Sequence, residues 1–450
     1  MTTNANLMTE GSIPKKIIIF AFPVFIGNLF QQLYNTADSL IVGNFIGSSA
    51  LAAVSSAGNL IFLITGFFIG LSMGAGVVIS TYIGAKKVEY VKKAVHTAVA
   101  LGIVSSILMT FIGTVFAPQA LLLMGTPANV LPESTTYFRI YFAGASGMVL
   151  YNTFTSILQA SGDSKHPLFY LICSSLINIT LDIVLIGIFH FGVGAAALAT
   201  TISQFTSAIL AFIKLVTVND DIRLIPKEIR FHKFILIRIL KVGLPSAFQN
   251  SIIGFANVVV QSYINYFQKA AIAGIGAYTK IEGFVFIPIT SFAMALTTFI
   301  GQNNGAKKTD RVKKGFLFGM ICSITLAELI GLIIFIFAPK LIAGFDPSED
   351  VVFFGVQRAR ICAFFFCFLA YSHIVASYFR GLGKTIVPML VMLICWCVIR
   401  VSILAITSSI HRTILITHWV YPITWVLSTI VYTYMLYRQI HIKEKSPKPM

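Results

Sequence analysis

Two carboxylates, Asp38 and Asp182, stand inside apolar runs long enough to cross a bilayer. An ionisable side chain there costs about 2.5–3.5 kcal/mol on insertion scales, which marks it as functional by default. The run around Asp38 also carries Asn28, Gln31, Gln32, Tyr34 and Asn35, and positions 28, 31/32, 35 and 38 trace one helical face. Asn178 and Asp182 are spaced i and i+4, again on one face, and Ala196 and Thr200 repeat that interval. A rise of about 1.5 Å per residue brings Asp38, Asp182 and Thr200 into the outer half of the bilayer, with Tyr137 near the same level. One site can therefore hold all of them. Two desolvated carboxylates in one site cannot both stay ionised cheaply, so either one holds a proton or a bound cation neutralises the pair. Both readings describe a coupling-ion site, for H⁺ or for Na⁺. No resident metal or cofactor is expected.

A second half of the chain has its own buried charges, Lys280, Glu282, Glu328 and Arg400. Lys280 and Glu282 are two residues apart and cannot pair across one helical face. Glu282 or Glu328 could serve as a second ion or substrate contact. Arg139 and Arg360 read as structural, snorkelling toward an interface.

These residues need a membrane scaffold. Of the 450 residues, 57% are hydrophobic and 11% charged, and the mean hydropathy is +0.86. Soluble domains carry about 45–50% apolar and about 25% charged residues. Apolar runs of about 20 residues fit transmembrane helices, since the hydrocarbon core is about 30 Å thick; the short alternating segments of a β-barrel are missing. No cleavable signal peptide is expected, because polar Met1–Ser12 leads through Lys15-Lys16 straight into a full-length span. The net charge of +17 would suggest nucleic acid in a soluble protein. Here most basic residues collect in the loops of one side, as at Lys86-Lys87, Lys92-Lys93, Lys307-Lys308 and Lys313-Lys314. The other side's loops hold only Lys269, Lys340 and Arg412. This bias puts both termini in the cytoplasm and argues against nucleic acid. The 6 cysteines all fall in apolar spans and read as buried small hydrophobes.

The chain is internally duplicated. Gly84-Ala85-Lys86-Lys87 recurs as Gly305-Ala306-Lys307-Lys308, a shift of 221 residues. The same shift relates Phe116-Ala117-Pro118 to Phe337-Ala338-Pro339, Arg139 to Arg360, Gly162 to Gly383 and Pro167 to Pro388. Pro23 and Asn28 match Pro245 and Asn250 one residue further on. The two basic loops lie on one side, so each half has an even number of spans. The fold class is all-α integral membrane, with twelve helices as two parallel-related six-helix bundles. The spans are 17–43, 51–82, 94–117, 136–160, 167–190, 193–217, 237–265, 271–301, 315–338, 357–380, 387–408 and 414–437. The domains are an amino-terminal lobe 1–217, a cytoplasmic linker 218–236 and a carboxy-terminal lobe 237–450. In the second half Asp38, Asn178 and Asp182 correspond to Val260, Ile399 and Ile403. A scaffold requirement would tend to recur in both halves, and the acidic pair does not.

The stretch from Pro23 through Gln31-Gln32-Leu33-Tyr34-Asn35-Thr36-Ala37-Asp38 resembles the first helix of the multidrug and toxic compound extrusion (MATE) family. Gln159–Pro167 and Gly301–Lys308 are similar to that family's fourth-to-fifth loop and the loop after its eighth helix. The intervals Asn178–Asp182–Ala196–Thr200 match its amino-lobe cation site. The resemblance covers nearly the whole chain. It implies a V-shaped pair of lobes, acting as a monomer in the inner (plasma) membrane, that exports cationic or amphipathic small molecules in exchange for H⁺ or Na⁺. It makes Asp38 the principal titrating carboxylate, with Asp182, Asn178 and Thr200 as partners. Tyr34, Tyr137 and Asn152 would sit in the surrounding polar network, and Pro23 would let the first helix bend. No acid occurs in Val242–Ile264 or Val356–Phe379, which favours the DinF-like branch.

Two other readings compete. A lipid-linked oligosaccharide flippase of the same superfamily would want basic residues in its cavity, and Lys280 and Arg400 are candidates. An intramembrane serine protease would use Ser146, in Gly144-Ala145-Ser146-Gly147, with His190 or His373 as base. Gly70-Leu71-Ser72-Met73-Gly74 also fits a nucleophile elbow, but that elbow must follow a strand. No Walker sequence occurs, so ATP is not the energy source.

Overall fold

The structure, a computed structural model, describes residues 7–46, 48–123, 126, 130–410 and 413–445, and these contain helices and no strand. In lipid every backbone group must be bonded within its own segment, and a helix alone does this for an apolar run. Among the described residues, beside the short helices Ala117–Leu123 and Pro226–Glu228, twelve long helical segments result. They are α1 (Ile13–Phe45), α2 (Ser48–Gly84), α3 (Val88–Val115), α4 (Leu131–Ala143 and Ala145–Ala160), α5 (Lys165–Asp182, widening into a π-helical turn Ile183–Ile188) and α6 (Gly194–Thr217). The second set comprises α7 (Lys233–Ile264), α8 (Lys269–Gly305), α9 (Thr309–Ala343), α10 (Glu349–Ala363 and Phe366–Gly381), α11 (Ile386–Met392, a π-helical turn Leu393–Ile399, Arg400–Ile410) and α12 (Ile414–Lys445). Among the described residues nine of these helices are individually long and apolar enough to span a bilayer, and α10 qualifies as a pair bent by 56°.

The duplication is written into the backbone. α4 breaks at Gly144 and α10 breaks across Phe364 and Phe365, the matching place in the repeat. The helices end alike too. Lys86, Gly162, Lys307 and Gly383 all adopt positive φ, at 55°, 93°, 58° and 74°. In each case the next residue's N–H reaches five residues back: Lys87 to Tyr82 O, Asp163 to Leu158 O, Lys308 to Asn303 O and Lys384 to Phe379 O. This is the Schellman stop, which satisfies the last helical carbonyls. Two lysines accept a left-handed conformation that costs a side chain about 1–2 kcal/mol.

By packing, the chain forms two compact units. The first is Met1–Ser251 with Thr298–Val312, and the second is Ile252–Thr297 with Lys313–Met450. In the first, α2 lies directly against α7: a Cβ at Gly70 would overlap the Ala247 backbone, and one at Gly74 the Gly243 backbone. Below this contact an apolar core of α2, α3, α4 and α6 includes Tyr82, Val95, Phe154 and Leu215, and takes in Ile222 and Leu224 from the linker. The linker is tied down further where Ile225 N–H donates to His96 Nε2 at 3.1 Å and His232 N–H to Thr97 Oγ1 at 3.2 Å. A second core, around Val42, Met109, Phe138, Phe142, Met148 and Ile186, surrounds the acidic site.

The arm ahead of α1 is also held in this unit. Met8 and Thr9 are buried. Met8 N–H donates to Gln302 Oε1 at 2.8 Å, and Met8 O accepts from Asn303 Nδ2 and Arg311 Nη2, each at 3.2 Å. Lys308 Nζ donates to Thr9 O at 3.0 Å and Arg311 Nη1 to Gly11 O at 2.8 Å.

Candidate functional site

α1 packs along α5, and α5 along α6. Asp182 ends the α-helical part of α5, at the mouth of its π-helical turn; such widened turns recur at functional sites. The packing brings Asp38 and Asp182 within direct electrostatic reach of each other. Asp182 is fully buried. Neither of its oxygens has a hydrogen-bond donor, and Oδ1 of Asp38 has none either. Asn178, one turn before Asp182, is buried and donates from Nδ2 to Thr200 Oγ1 at 3.4 Å. Its own Oδ1 also lacks a donor. Ala196 packs in the surrounding apolar core one turn before Thr200.

Tyrosines frame this group. Tyr137 is buried on the first half of α4, within electrostatic reach of Asp38 and Asp182. It stacks on Tyr141 with ring centroids 6.4 Å apart. Tyr34 lies within electrostatic reach of Asp38 and Tyr141. Gln31 is exposed. The side chain of Asn35 lies outside the described residues. Asn152 is half-buried and gives Nδ2 to Met148 O of its own helix at 2.9 Å. Pro23 is buried within α1, which runs through it as one helix.

Chemically, the site concentrates four unsatisfied oxygen acceptors on three side chains, at a depth where an unmatched acceptor is costly. Such an arrangement suits an entering proton or small cation. Sequence reasoning overlooked Tyr141 and Gln204. Gln204 Nε2 donates to Tyr141 Oη at 3.4 Å, and Tyr141 Oη donates to Met148 Sδ at 3.7 Å. The signal was present, since Tyr141 follows Tyr137, and Gln204 follows Thr200, by one helical turn.

The remaining candidates separate. Lys280 is exposed and Glu282 buried, so they point apart; Glu282 accepts from Tyr278 Oη at 3.1 Å. Glu328 has a capping role: its Oε1 accepts Cys367 N–H at 2.6 Å, just past the break in α10. Arg139 and Arg360 are both exposed. Ser146 begins the second half of α4, beside Gly144, where a Cβ would overlap the Thr201 side chain. That motif is a close-packing surface between α4 and α6. His190 sits in the exposed turn between α5 and α6, and no hydrogen bond joins it to Ser146 among the described residues. Among the described residues no three metal-ligating side chains cluster.

Helices of this number and length define a multi-pass membrane protein. The MatE family model matches residues 23–184 and again 245–407, once in each half, and the chain belongs to that family. It is 26% identical to the probable multidrug resistance protein YoeA of Bacillus subtilis, over 94% of this chain and 93% of that one. It is 28% identical to the probable multidrug resistance protein YpnP of Bacillus subtilis, over 89% and 90%. A solved structure described as the outward-facing conformation of a multidrug resistance MATE family transporter superposes with a TM-score of 0.91, at 23% identity, over 99% of this chain and 100% of that one.

Proposed function

We propose that this chain is a secondary active multidrug efflux antiporter of the plasma membrane, working as a monomer with both termini in the cytoplasm. It exports cationic or amphipathic compounds in exchange for H⁺, with Na⁺ as the second candidate ion. The observation that carries this reading is the pairing of half-buried Asp38 with buried Asp182, in which Oδ1 of Asp38 and both oxygens of Asp182 lack donors. The names of the relatives and the one-sided basic loops support it as well. The lack of an acid in Val242–Ile264 and Val356–Phe379 favours the DinF-like branch.

The mechanism is competition. Ionised Asp38 attracts a cationic compound toward the tyrosines of α1 and α4. An ion arriving from outside removes that attraction, and the compound leaves outward. The ion drives transport only through its differential affinity for the two states. One charge moving down 100 mV supplies about 2.3 kcal/mol.

The test is rhodamine 6G efflux from proteoliposomes, with a pH gradient and a Na⁺ gradient imposed separately. Efflux under the pH gradient, abolished by Asp38→Asn in protein that still inserts, is the expected result. Undiminished pH-driven efflux by that variant overturns the reading, and efflux under Na⁺ alone assigns the site to Na⁺.

A further inference from the structure

Four helices of the second unit, α8, α10, α11 and α12, turn charged and aromatic side chains into one buried cluster. Arg358 and Arg400 are 2% and 1% exposed. Both guanidinium groups lie over the ring of Tyr421, at 4.6 and 4.2 Å from its centroid. Arg358 also lies 5.4 Å from the Tyr278 ring and Arg400 5.6 Å from the Trp396 ring. Arg400 donates from Nε and Nη2 to Thr424 Oγ1 at 3.3 and 2.8 Å. Arg358 Nε and Nη1 have no acceptor, nor has Nε2 of buried His418 a partner. Glu282 faces both arginines. No ion pair joins it to either among the described residues. Two cations thus confront one carboxylate, with two N–H groups unsatisfied.

The register of the duplication gives this cluster its meaning. At the shift of 221, Tyr137 becomes Arg358 and Thr200 becomes Tyr421. Positions that flank the carboxylates in one half thus hold an arginine and the tyrosine beneath it in the other. The orphaned atoms are acceptors in the first case and donors in the second. A π-helical turn abuts the buried charge both times, following Asp182 and preceding Arg400.

We propose that the second unit holds a binding site for the oxyanion of an organic substrate, a carboxylate, sulfonate or phosphate, gripped by Arg358 and Arg400 over Tyr421. A guanidinium fork matches an oxyanion bidentately and stays charged when desolvated. A buried charge without a matched partner inside a bundle marks a substrate path. Glu282 competes for the same arginines and sets the affinity. The break in α10, within two turns of Arg358, provides the flexibility for Arg358 to reach an arriving anion. This site goes beyond cation export and is independent of the acidic pair.

Two dyes on one xanthene scaffold test it: fluorescein, an anion near neutral pH, and rhodamine 6G, a cation. Fluorescence anisotropy is read on the full chain in nanodiscs. Arg358→Gln and Arg400→Gln each weaken fluorescein binding by about tenfold or more, the usual scale for a lost charged hydrogen bond, and leave rhodamine 6G binding unchanged. Arg358→Lys falls between. Glu282→Gln tightens fluorescein binding by roughly threefold or more, since a competing charge is removed. No saturable fluorescein binding by the unaltered protein, or equal affinity across the arginine variants, overturns the proposal. If those variants lose both dyes and aggregate, Glu282→Gln decides alone, and absence of tightening overturns it.

Discussion

Asn178 ties α5 to α6 through its Nδ2, which donates to Thr200 Oγ1 at 3.4 Å, one turn below Asp182. The bond is long for a hydrogen bond, and it holds the amide so that its carbonyl oxygen joins the orphaned oxygens of the acidic pair. Thr200→Val keeps the shape but removes the acceptor. The unsatisfied amide should cost about 1–3 kcal/mol. Ion-driven efflux should fall by roughly tenfold or more on that scale, while Thr200→Ser, which keeps the hydroxyl, stays near the unaltered rate. Equal rates for Val and Ser would remove Thr200 from the site.

Asp38 and Asp182 act on one another, so their variants should not add. Asp182→Asn alone is expected to slow ion-driven efflux, and Asp38→Asn to abolish it. The double variant should be no worse than Asp38→Asn in rate, and more stable to heat than the sum of the single changes predicts. Additive changes in melting temperature would mean that the two carboxyl groups do not communicate.

The α2–α7 contact depends on backbones that touch at Gly74 and Gly243. Gly74→Leu should lower stability by about 3 kcal/mol, the upper range for overpacking a tight core. Gly58, whose added Cβ would meet nothing, is the control: Gly58→Ala should leave thermal stability in detergent unchanged.

Acid should loosen one exposed cap. Asp346 accepts from both the N–H and the hydroxyl of Ser348, at 2.9 and 2.5 Å, ahead of α10. These donors hold its carboxyl below the ordinary range. A lowered folded value means that the cap contributes fully above the unfolded value, about 3.9, and is lost as pH falls through the folded one. The Ser348 amide should therefore stay protected at pH 5 and exchange faster only in stronger acid. Asp346→Ala should exchange fast at both.

Much of this was legible in the sequence because the signals were periodic. The i, i+4 pairs on α5 and α6 include Asn178 and Thr200, which bond to each other, whereas Asn152 bonds to its own helix. The repeat register pairs Lys86 with Lys307 and Gly162 with Gly383, and the structure ends helices at all four. The breaks in α4 and α10 were not legible. Gly144-Ala145-Ser146-Gly147 is compatible with continuous helix, and it is the approach of Thr201 that requires a residue without a side chain there. Arg358 escaped notice because it stood at the edge of an expected span, where an arginine normally snorkels. The structure buries it fully, since Tyr278 and Tyr421 supply ring faces for its charge.

The arm at Met8–Gly11 has a practical corollary for anyone producing this protein. Three of its carbonyls are engaged by Asn303, Lys308 and Arg311, so it is a seated part of the molecule. Affinity handles or fluorescent fusions spliced close to this stretch would pull against those three side chains. Placing them after the last helix leaves the seat intact.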